Sequence, residues 1–450
     1  MIFRKLLFRL NEKGMRGCAW RAYEEMLKNE SLTRAQIEEM QWRKLEKLIR
    51  HAYETVPYYR NEWKKANIHP RDIRHFQDFN MKIPMITKFD VRKKLEQFFS
   101  EKLSPGLIRV DTSGTGGKPA TFYHDRISRS YGLAGRYRGR QWWGVSPVDN
   151  EVRFWGRSAY YSPSIKVRTK DKMKRAKDWL LGVKYMSTFN MKEENLEQWL
   201  SVIQKHHPKV ILGYSSAVYA FSKYLQDHDM NLHNSGIKVV THTSEPFYSN
   251  QKDMVRRFFC KNIASEYGSV ENGNIGFECP EGSLHVCDEN VYLEIVKSED
   301  LENYIAVTNL ENFSFPLIRY NTQDTGTLVT KPCKCGRPLH VMTLDQARMF
   351  DYICNSKGDL IDGVSLMHVI DRSILKEKGC RRYRAIQEAP DRIDVYIETV
   401  TPLTETGKTL LRSNIQQYVE EKIRVNIYEK EHLSVEPSGK FKFIISRVKK

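Results

Sequence analysis

The chain is short of several things. No apolar run approaches the roughly 18 residues that a membrane-spanning helix needs. Acids are too few to balance bases, with 55 Asp and Glu against 73 Lys and Arg, a net charge of +18. There is no internal repeat and no long low-complexity tract, so a solenoid or a disordered scaffold is excluded. Two phosphate-binding signatures are missing as well. A dinucleotide G-x-G-x-x-G is absent. The stretch nearest to a nucleoside triphosphatase loop, "RVDTSGTGGKPATFYHD" (109–125), puts Thr112 where the first glycine belongs and Pro119 where the magnesium-binding hydroxyl belongs. No aromatic RNA-binding signature or zinc-finger pairing accompanies the basic surplus. Nucleic acid is therefore not expected as a partner, and the surplus, dense at 166–184, reads as a solvated face.

What is present is globular. Of 450 residues, 40% are hydrophobic, enough for two or three domains with real cores. Eight cysteines without a secretory signal suggest reduced thiols and a cytoplasmic protein. The opening "MIFRKLLFRLNEKGMRG" has cations interrupting its apolar residues and no small-residue cleavage site, so it does not read as a signal peptide. Ile2, Phe3, Leu6, Leu7 and Leu10 would share one helix face, expected to dock on the protein itself, with peripheral membrane contact as the alternative.

Residues 33–66 carry helical periodicity with a break at Pro57. From "EVRFWG" to "NIASEYGS" the signals alternate: strand, then "NLEQWLSVIQKHHP" as helix, "KVILGY" as strand, "SSAVYAFSKYLQDHD" as helix, "IKVVTHTSEP" as strand and "QKDMVRRFFC" as helix. This rhythm predicts an α/β domain with a mostly parallel sheet. Ligands bind such sheets beyond the carboxyl ends of the strands, where "GYSS", "TSEP" and "EYGSVE" fall. Residues 284–330 are strand-rich, a meander or small barrel. Beyond 346 a small α+β unit is expected, giving domains of 1–345 and 346–450.

"TSGTGGKP" can hold phosphate through backbone N–H groups, the hydroxyls of Thr112, Ser113 and Thr115, and the Lys118 cation. The same stretch resembles the phosphate loop of adenylate-forming enzymes. Four further segments follow in the order of that family: "EYGSVE" (266–271), "RYNTQDTG" (319–326), "DQARMFDYICNSKG" (345–358) and "PSGKFKF" (437–443). "AYETVPYYR", "KIPMITK", "LGYSSAVYAFSKYL" and "THTSEPFY" are similar to the phenylacetate–coenzyme A ligase family, in its CapK-like branch from polysaccharide gene clusters. The resemblance runs from about residue 40 to 447.

It implies a large N-terminal domain with mostly parallel sheets and a β-rich subdomain, plus a mobile C-terminal lid. It implies ATP-dependent, magnesium-dependent adenylation of a carboxylic acid, then acyl transfer to coenzyme A. A sugar or carrier protein is the alternative acceptor, and a non-catalytic polyanion- or membrane-binding protein the alternative class. By the same resemblance, Thr112, Ser113, Gly114, Thr115, Gly116, Gly117 and Lys118 would hold the β- and γ-phosphates. Tyr267 and Gly268 would flank adenine, with Ser244, Glu245 and Pro246 lining that pocket. Glu271 would bind magnesium, Asp324 the ribose hydroxyls, and Arg348 ribose or phosphate. Lys440 would neutralise charge between carboxylate and α-phosphate. Each has a plainer reading: a helix cap for Glu271, a turn residue for Asp324, a surface ion pair for Arg348, a basic tail for Lys440.

Four positions depart from the family pattern. Gly116 and Val270 each lack a hydroxyl, Gln323 stands where glycine precedes the aspartate, and Ala347 where glycine precedes the hinge arginine. Tyr214, at the end of a strand, is the candidate substrate contact. Trp142, Trp143, Phe154 and Trp155 are aromatic enough to line an acyl pocket, but such residues more often belong to a core. Finally, Cys279, His285, Cys333 and Cys335 form a Cys3His set suited to a structural zinc, with Cys287 and His340 as substitutes. Cys-x-Cys is tighter than the usual spacing.

Overall fold

The computed structural model describes residues 4–6, 8–9, 17–112, 120–155, 178–188, 191, 193–297, 303–345, 353–356, 360–361, 363–374, 377, 379–420, 422–434 and 441–448. Their contacts gather into two compact units, 1–148 with 264–345, and 149–263 with 346–450.

The first unit opens with helices. Residues 4–6 and 8–9 are helical, with Phe8 buried among Trp20 and Tyr137 and Leu6 exposed. The docked side thus includes Phe8, which the sequence did not place on the apolar face. Helix α1 (Ala19–Asn29) precedes α2 (Arg34–Thr55). Thr33 and Gln36 cap the α2 N-terminus reciprocally. Pro57 ends the periodic run as expected, becoming the first residue of α3 (Pro57–Lys65), where its missing N–H costs nothing. Short α4 (Phe76–Lys82) and α5 (Lys88–Lys93) lead to a hairpin, β1 (Ile108–Asp111) and β2 (Thr121–His124), then to α6 (Arg126–Gln141). Leu45, Tyr59, Trp63, Phe79, Phe98, Phe122 and Tyr320 share one buried core.

In the second unit β3 (Glu151–Trp155), β4 (Val183–Ser187), β5 (Val210–Tyr214) and β6 (Val239–Thr243) run parallel in the order β4-β3-β5-β6. Helices α7 (Glu193–His206), α8 (Ser215–Asp227) and α9 (Ser249–Phe258) intervene. Strands β5 and β6 are buried throughout, the continuous apolar character of a sheet covered on both faces. The expected alternation is therefore present element by element.

The chain then returns to the first unit with β7 (Ile263–Ser269), β8 (Gly273–Glu278), β9 (Leu284–Val286), β10 (Val291–Lys297), β11 (Asn303–Asn309), β12 (Tyr320–Val329) and β13 (Val341–Leu344). Their order is β10-β11-β12-β13-β9-β8-β7, antiparallel at every step, and β10 to β13 form a meander. The C-terminal part of the second unit has a small hairpin, β14 (Ile353–Cys354) with β15 (Leu360–Ile361), and α10 (Gly363–Ser373). Its main sheet combines β16 (Cys380–Ala389), β17 (Arg392–Thr399), β18 (Arg424–Lys430) and β19 (Ile444–Ser446) in the order β18-β17-β16-β19, with α11 (Glu405–Val419) packed on it. Among the described residues no helix is long and apolar enough to cross a membrane.

Candidate adenylation site and metal centre

The glycine-rich stretch is the tip of the β1–β2 hairpin. Asp111 pairs with Thr121, and Thr112 closes the base: its N–H donates to Ala120 O (2.9 Å), and its Oγ1 accepts from Ala120 N–H (3.0 Å). Ser113, Gly114, Thr115, Gly116, Gly117 and Lys118 lie outside the described residues. The stretch returns into a strand instead of opening a helix. A Walker loop needs strand, loop and helix in succession, so the local topology agrees with the exclusion made from Thr112 and Pro119.

Strand β2 carries this hairpin to two of the other motif segments. Phe122 and His124 are two apart and both buried. Phe122 meets the ring of Tyr320 edge-on, with centroids 5.8 Å apart. His124 Nε2 lies 2.7 Å from Val270 O and must donate to it. Its Nδ1 is then the acceptor for Ser128 Oγ at 3.1 Å. Burial lowers the imidazole pKa, so this neutral tautomer is the stable one. Sequence reasoning missed His124, because nothing local marks a contact 146 residues away.

Tyr267, Glu271, Tyr320 and Asp324 form the other side of the same cluster. The Tyr267 hydroxyl donates to Asp324 Oδ2 (2.9 Å), and the Tyr320 hydroxyl to Glu271 Oε1 (3.2 Å). Glu271 precedes a strand, β8, so the helix-cap reading does not apply. Asp324 lies within β12 rather than at a turn. Gly268 is required by close approach: a Cβ there would sit 2.5 Å from Gly273 O. Gln323 adopts φ +61°, the left-handed region that favours glycine, so the backbone keeps the conformation where the residue has changed. Val270 is exposed and serves the cluster through its carbonyl. Behind β7, Arg136 of α6 grips Glu266 with Nε at 2.7 and 2.9 Å from the two carboxylate oxygens.

In the second unit, Tyr214 ends β5 and is buried, stacked on Trp155 with centroids 4.5 Å apart. Phe154 lies in the same core. Ser244 follows β6 with φ +71°, and Glu245 behind it is buried. Pro246 completes this turn. Arg348, Ala347 and Lys440 lie outside the described residues.

The four proposed metal ligands do meet. Donor atoms of Cys279, His285, Cys333 and Cys335 all lie within 4.8 Å of one another. Cys279 Sγ is 3.7 Å from Cys333 Sγ, and Cys335 Sγ is 3.2 Å from His285 Nε2. Zinc–sulfur bonds of about 2.3 Å give a tetrahedral S–S edge of roughly 3.8 Å, so the spacing suits the ion. Two tight turns make this possible, one joining Gly282 N–H to Cys279 O (2.9 Å), the other Gly336 N–H to Cys333 O (3.1 Å). Burial pushes the Cys279 thiol up to about 12 and the His285 imidazole down to about 4. Neither substitute belongs to the set. Cys287 contacts Arg138, and His340 pairs with Asp288 (2.9 Å). Trp142 packs its ring 5.5 Å from that of His285, and Trp143 donates to Glu278 O (2.9 Å).

Residues 353–447 match the CapK C-terminal domain. The chain is 23% identical to protein CapK of Staphylococcus aureus over 290 residues, 64% of this chain and 62% of CapK. It is 24% identical to the phenylacetate-coenzyme A ligase of Escherichia coli over 326 residues, 65% of this chain and 68% of that one. In fold it is similar to 2-hydroxyisobutyryl-CoA ligase crystallised in the postadenylation state. The TM-score is 0.67 at 17% identity, covering 91% of this chain and 89% of the other. The C-terminal part of the chain thus matches a CapK domain, and the chain as a whole is similar to protein CapK and to phenylacetate-coenzyme A ligases.

Proposed function

We propose that this protein adenylates a carboxylic acid with ATP and passes the acyl group to the thiol of coenzyme A. The observation that carries the reading is the convergence, within the first unit, of three distant motif segments. The glycine hairpin reaches Val270 through His124, Glu271 is held by Tyr320, and Asp324 by Tyr267. In the first half-reaction a carboxylate oxygen attacks the α-phosphorus, its bond to pyrophosphate breaks, and an acyl-adenylate forms. In the second, the thiol sulfur attacks the acyl carbon, AMP leaves with the phosphate oxygen, and the thiol proton goes to solvent.

The residues divide this work by their chemistry. Thr112 and the 113–118 loop would hold the β- and γ-phosphates. Tyr267 and Gly268 would flank adenine, and Asp324, already fixed by one hydroxyl, would accept from the ribose. Glu271 is a half-buried carboxylate with a neutral neighbour, a fitting oxygen ligand for magnesium. That ion would offset charge on the leaving phosphates. Residues 346–450 would act as a lid carrying Lys440, with Arg348 near its hinge, and Tyr214 would border the acyl site. We place the protein in the cytoplasm, where both cosubstrates occur. Carboxylate-dependent pyrophosphate exchange over a broad acid panel tests the reading. Exchange with at least one acid is expected, and absence of both exchange and ATP binding would end it. Coenzyme A should then discharge the adenylate; discharge only by a sugar or carrier protein would change the acceptor.

The Cys279, His285, Cys333 and Cys335 cluster would hold a structural zinc, with four protein ligands and no open position. Elemental analysis of the purified protein is expected to find one zinc per chain. Cys335→Ser should lose it and melt at lower temperature, because ligand binding is coupled to folding. A metal-free wild type of unchanged stability would refute the site.

A further inference from the structure

Glu271 sits in the short link between β7 and β8, where Ser269 pairs with Gly273 across the base. Backbone groups in such a link must find partners outside the ladder. Asn272 N–H donates to Ser269 Oγ (3.1 Å), which closes the turn from within. The two carbonyls that flank Glu271 are held from outside. Val270 O accepts from His124 Nε2 at 2.7 Å, and Asn272 O accepts from Asn309 Nδ2 at 3.1 Å. His124 ends β2 and Asn309 ends β11, so two distant strands hold one link.

The two donors are themselves connected. Asn309 Nδ2 also lies 3.4 Å from Ser128 Oγ, and an amide nitrogen has two protons to give. The hydroxyl passes its single proton to His124 Nδ1 (3.1 Å). The result is a one-way chain, Asn309 to Ser128 to His124 to Val270 O, with a branch from Asn309 to Asn272 O. Both of its ends are fixed. Asn309 Oδ1 accepts the Glu311 N–H (3.0 Å), which sets the amide the right way round. Ser128 N–H donates to Asp125 Oδ1 (2.8 Å), the cap of α6, which sets the hydroxyl on a rigid first turn. His124, Ser128, Asn309 and Asn272 are each at most 2% exposed. Hydrogen bonds in series polarise one another in such a buried setting, and a satisfied network is stiff.

We propose that His124 and Asn309 are positioning residues for Glu271: they clamp the backbone on either side of it and so present its carboxylate to the divalent cation that accompanies ATP. This rests on the proposed adenylation and on Glu271 as the metal ligand within it. Tyr320 steadies the carboxylate oxygen, and the clamp steadies the chain beneath. Magnesium demands near-octahedral oxygen ligands at about 2.0–2.1 Å, so a small displacement of the carboxylate costs affinity. Groups that hold a ligand in place are typically worth about 10–100-fold in metal binding.

Binding of Mn2+ to the full chain with ATP, followed by electron paramagnetic resonance with no acid present, reads the site without turnover. Asparagine reaches only the position of the imidazole Nδ1, whereas glutamine reaches that of Nε2. His124→Asn should therefore lose the Val270 contact and weaken Mn2+ binding by about tenfold or more, while His124→Gln stays within about threefold of wild type. Asn309→Ala should also weaken it by about tenfold. Metal-free nucleotide affinity should stay within about twofold in all three, and in pyrophosphate exchange the loss should appear as a raised KM for magnesium, with kcat recovered at saturating magnesium. Unchanged Mn2+ affinity in either His124→Asn or Asn309→Ala overturns the two-sided clamp. So does a His124→Gln variant as weak as His124→Asn, because the side chain then only fills space. An equal loss of metal-free nucleotide binding overturns it too, since the whole pocket is then disturbed. If His124→Asn does not fold, Asn309→Ala and His124→Gln decide against wild type. A wild type that binds no Mn2+ with ATP removes the metal role of Glu271 and this proposal with it; wild-type binding with indifferent variants removes the clamp alone.

Discussion

Glu289→Ala is expected to destabilise the protein by about 3–5 kcal/mol, the cost of stranding a buried charge. Its carboxylate Oε1 lies 2.5 Å from Arg138 Nη1, and the two side chains are 0% and 2% exposed. Burial is the largest influence and works against the guanidinium charge, but Glu289, Cys287 and Glu30 together outweigh it and raise the Arg138 pKa overall. Arginine does not escape by deprotonating, so removing Glu289 leaves a cation without its anion. Near it there remain Cys287 Sγ at 3.6 Å, the Trp142 ring at 5.6 Å and, further off, the Glu30 carboxylate, which does not replace the direct contact. Urea unfolding monitored by tryptophan fluorescence would measure the loss. The pair is dispensable only as a pair. Arg138→Met combined with Glu289→Leu should recover much of the stability, since apolar replacement of both partners removes the desolvation penalty as well. A loss below about 1 kcal/mol for the single variant would show that water reaches the pair.

Lys440→Ala is expected to lower carboxylate-dependent pyrophosphate exchange by about 10²–10³-fold, the usual effect of removing one group that meets charge developing in a transition state. Binding of ATP should change little, because in the proposed role the lysine would act where carboxylate and α-phosphate meet. Lys442→Ala is the comparison: it removes the same charge two residues away and should leave exchange within about twofold. Equal losses in both variants would mean that the basic segment acts through its field alone. That outcome would remove Lys440 from the chemistry.

Much of the fold could be read in the chain because local chemistry and tertiary structure agree there. Pro57, the apolar run "KVILGY" and the amphipathic "NLEQWLSVIQKHHP" each mean one thing. Helix α6 was not legible. "RISRSYGLAGRYRGRQ" has three glycines and five arginines, poor signals for a helix. The reason lies across the interface. A Cβ on Gly135 would meet Cys287 Sγ at 2.7 Å, and one on Gly139 would meet Phe277 at 2.2 Å. These glycines let the helix lie close against its sheet, and packing overrides propensity. Strand β16, "CRRYRAIQEA", was hidden for a different reason. Arg381 and Arg382 look exposed in sequence but are buried, Arg381 against Asp227 and Glu193 and Arg382 against Glu398. Charge patterning marks a solvated face only when partners are not supplied from elsewhere. In the candidate site, motif order pointed to Glu271 and Asp324, which the structure pairs with Tyr320 and Tyr267. It gave no sign of His124, whose importance depends on register.

That register bears on which sequence changes this protein can tolerate. Residues between Thr112 and Ala120 link the two paired strands, and strand pairing does not fix their number. Strand β2 has no such freedom. Its alternation sets Phe122 and His124 on the buried face and Thr121 and Tyr123 on the other. A one-residue insertion between Phe122 and His124 would turn His124 outward, away from Val270. Among relatives of this chain, insertions and deletions should therefore accumulate within the tip and stop at its base.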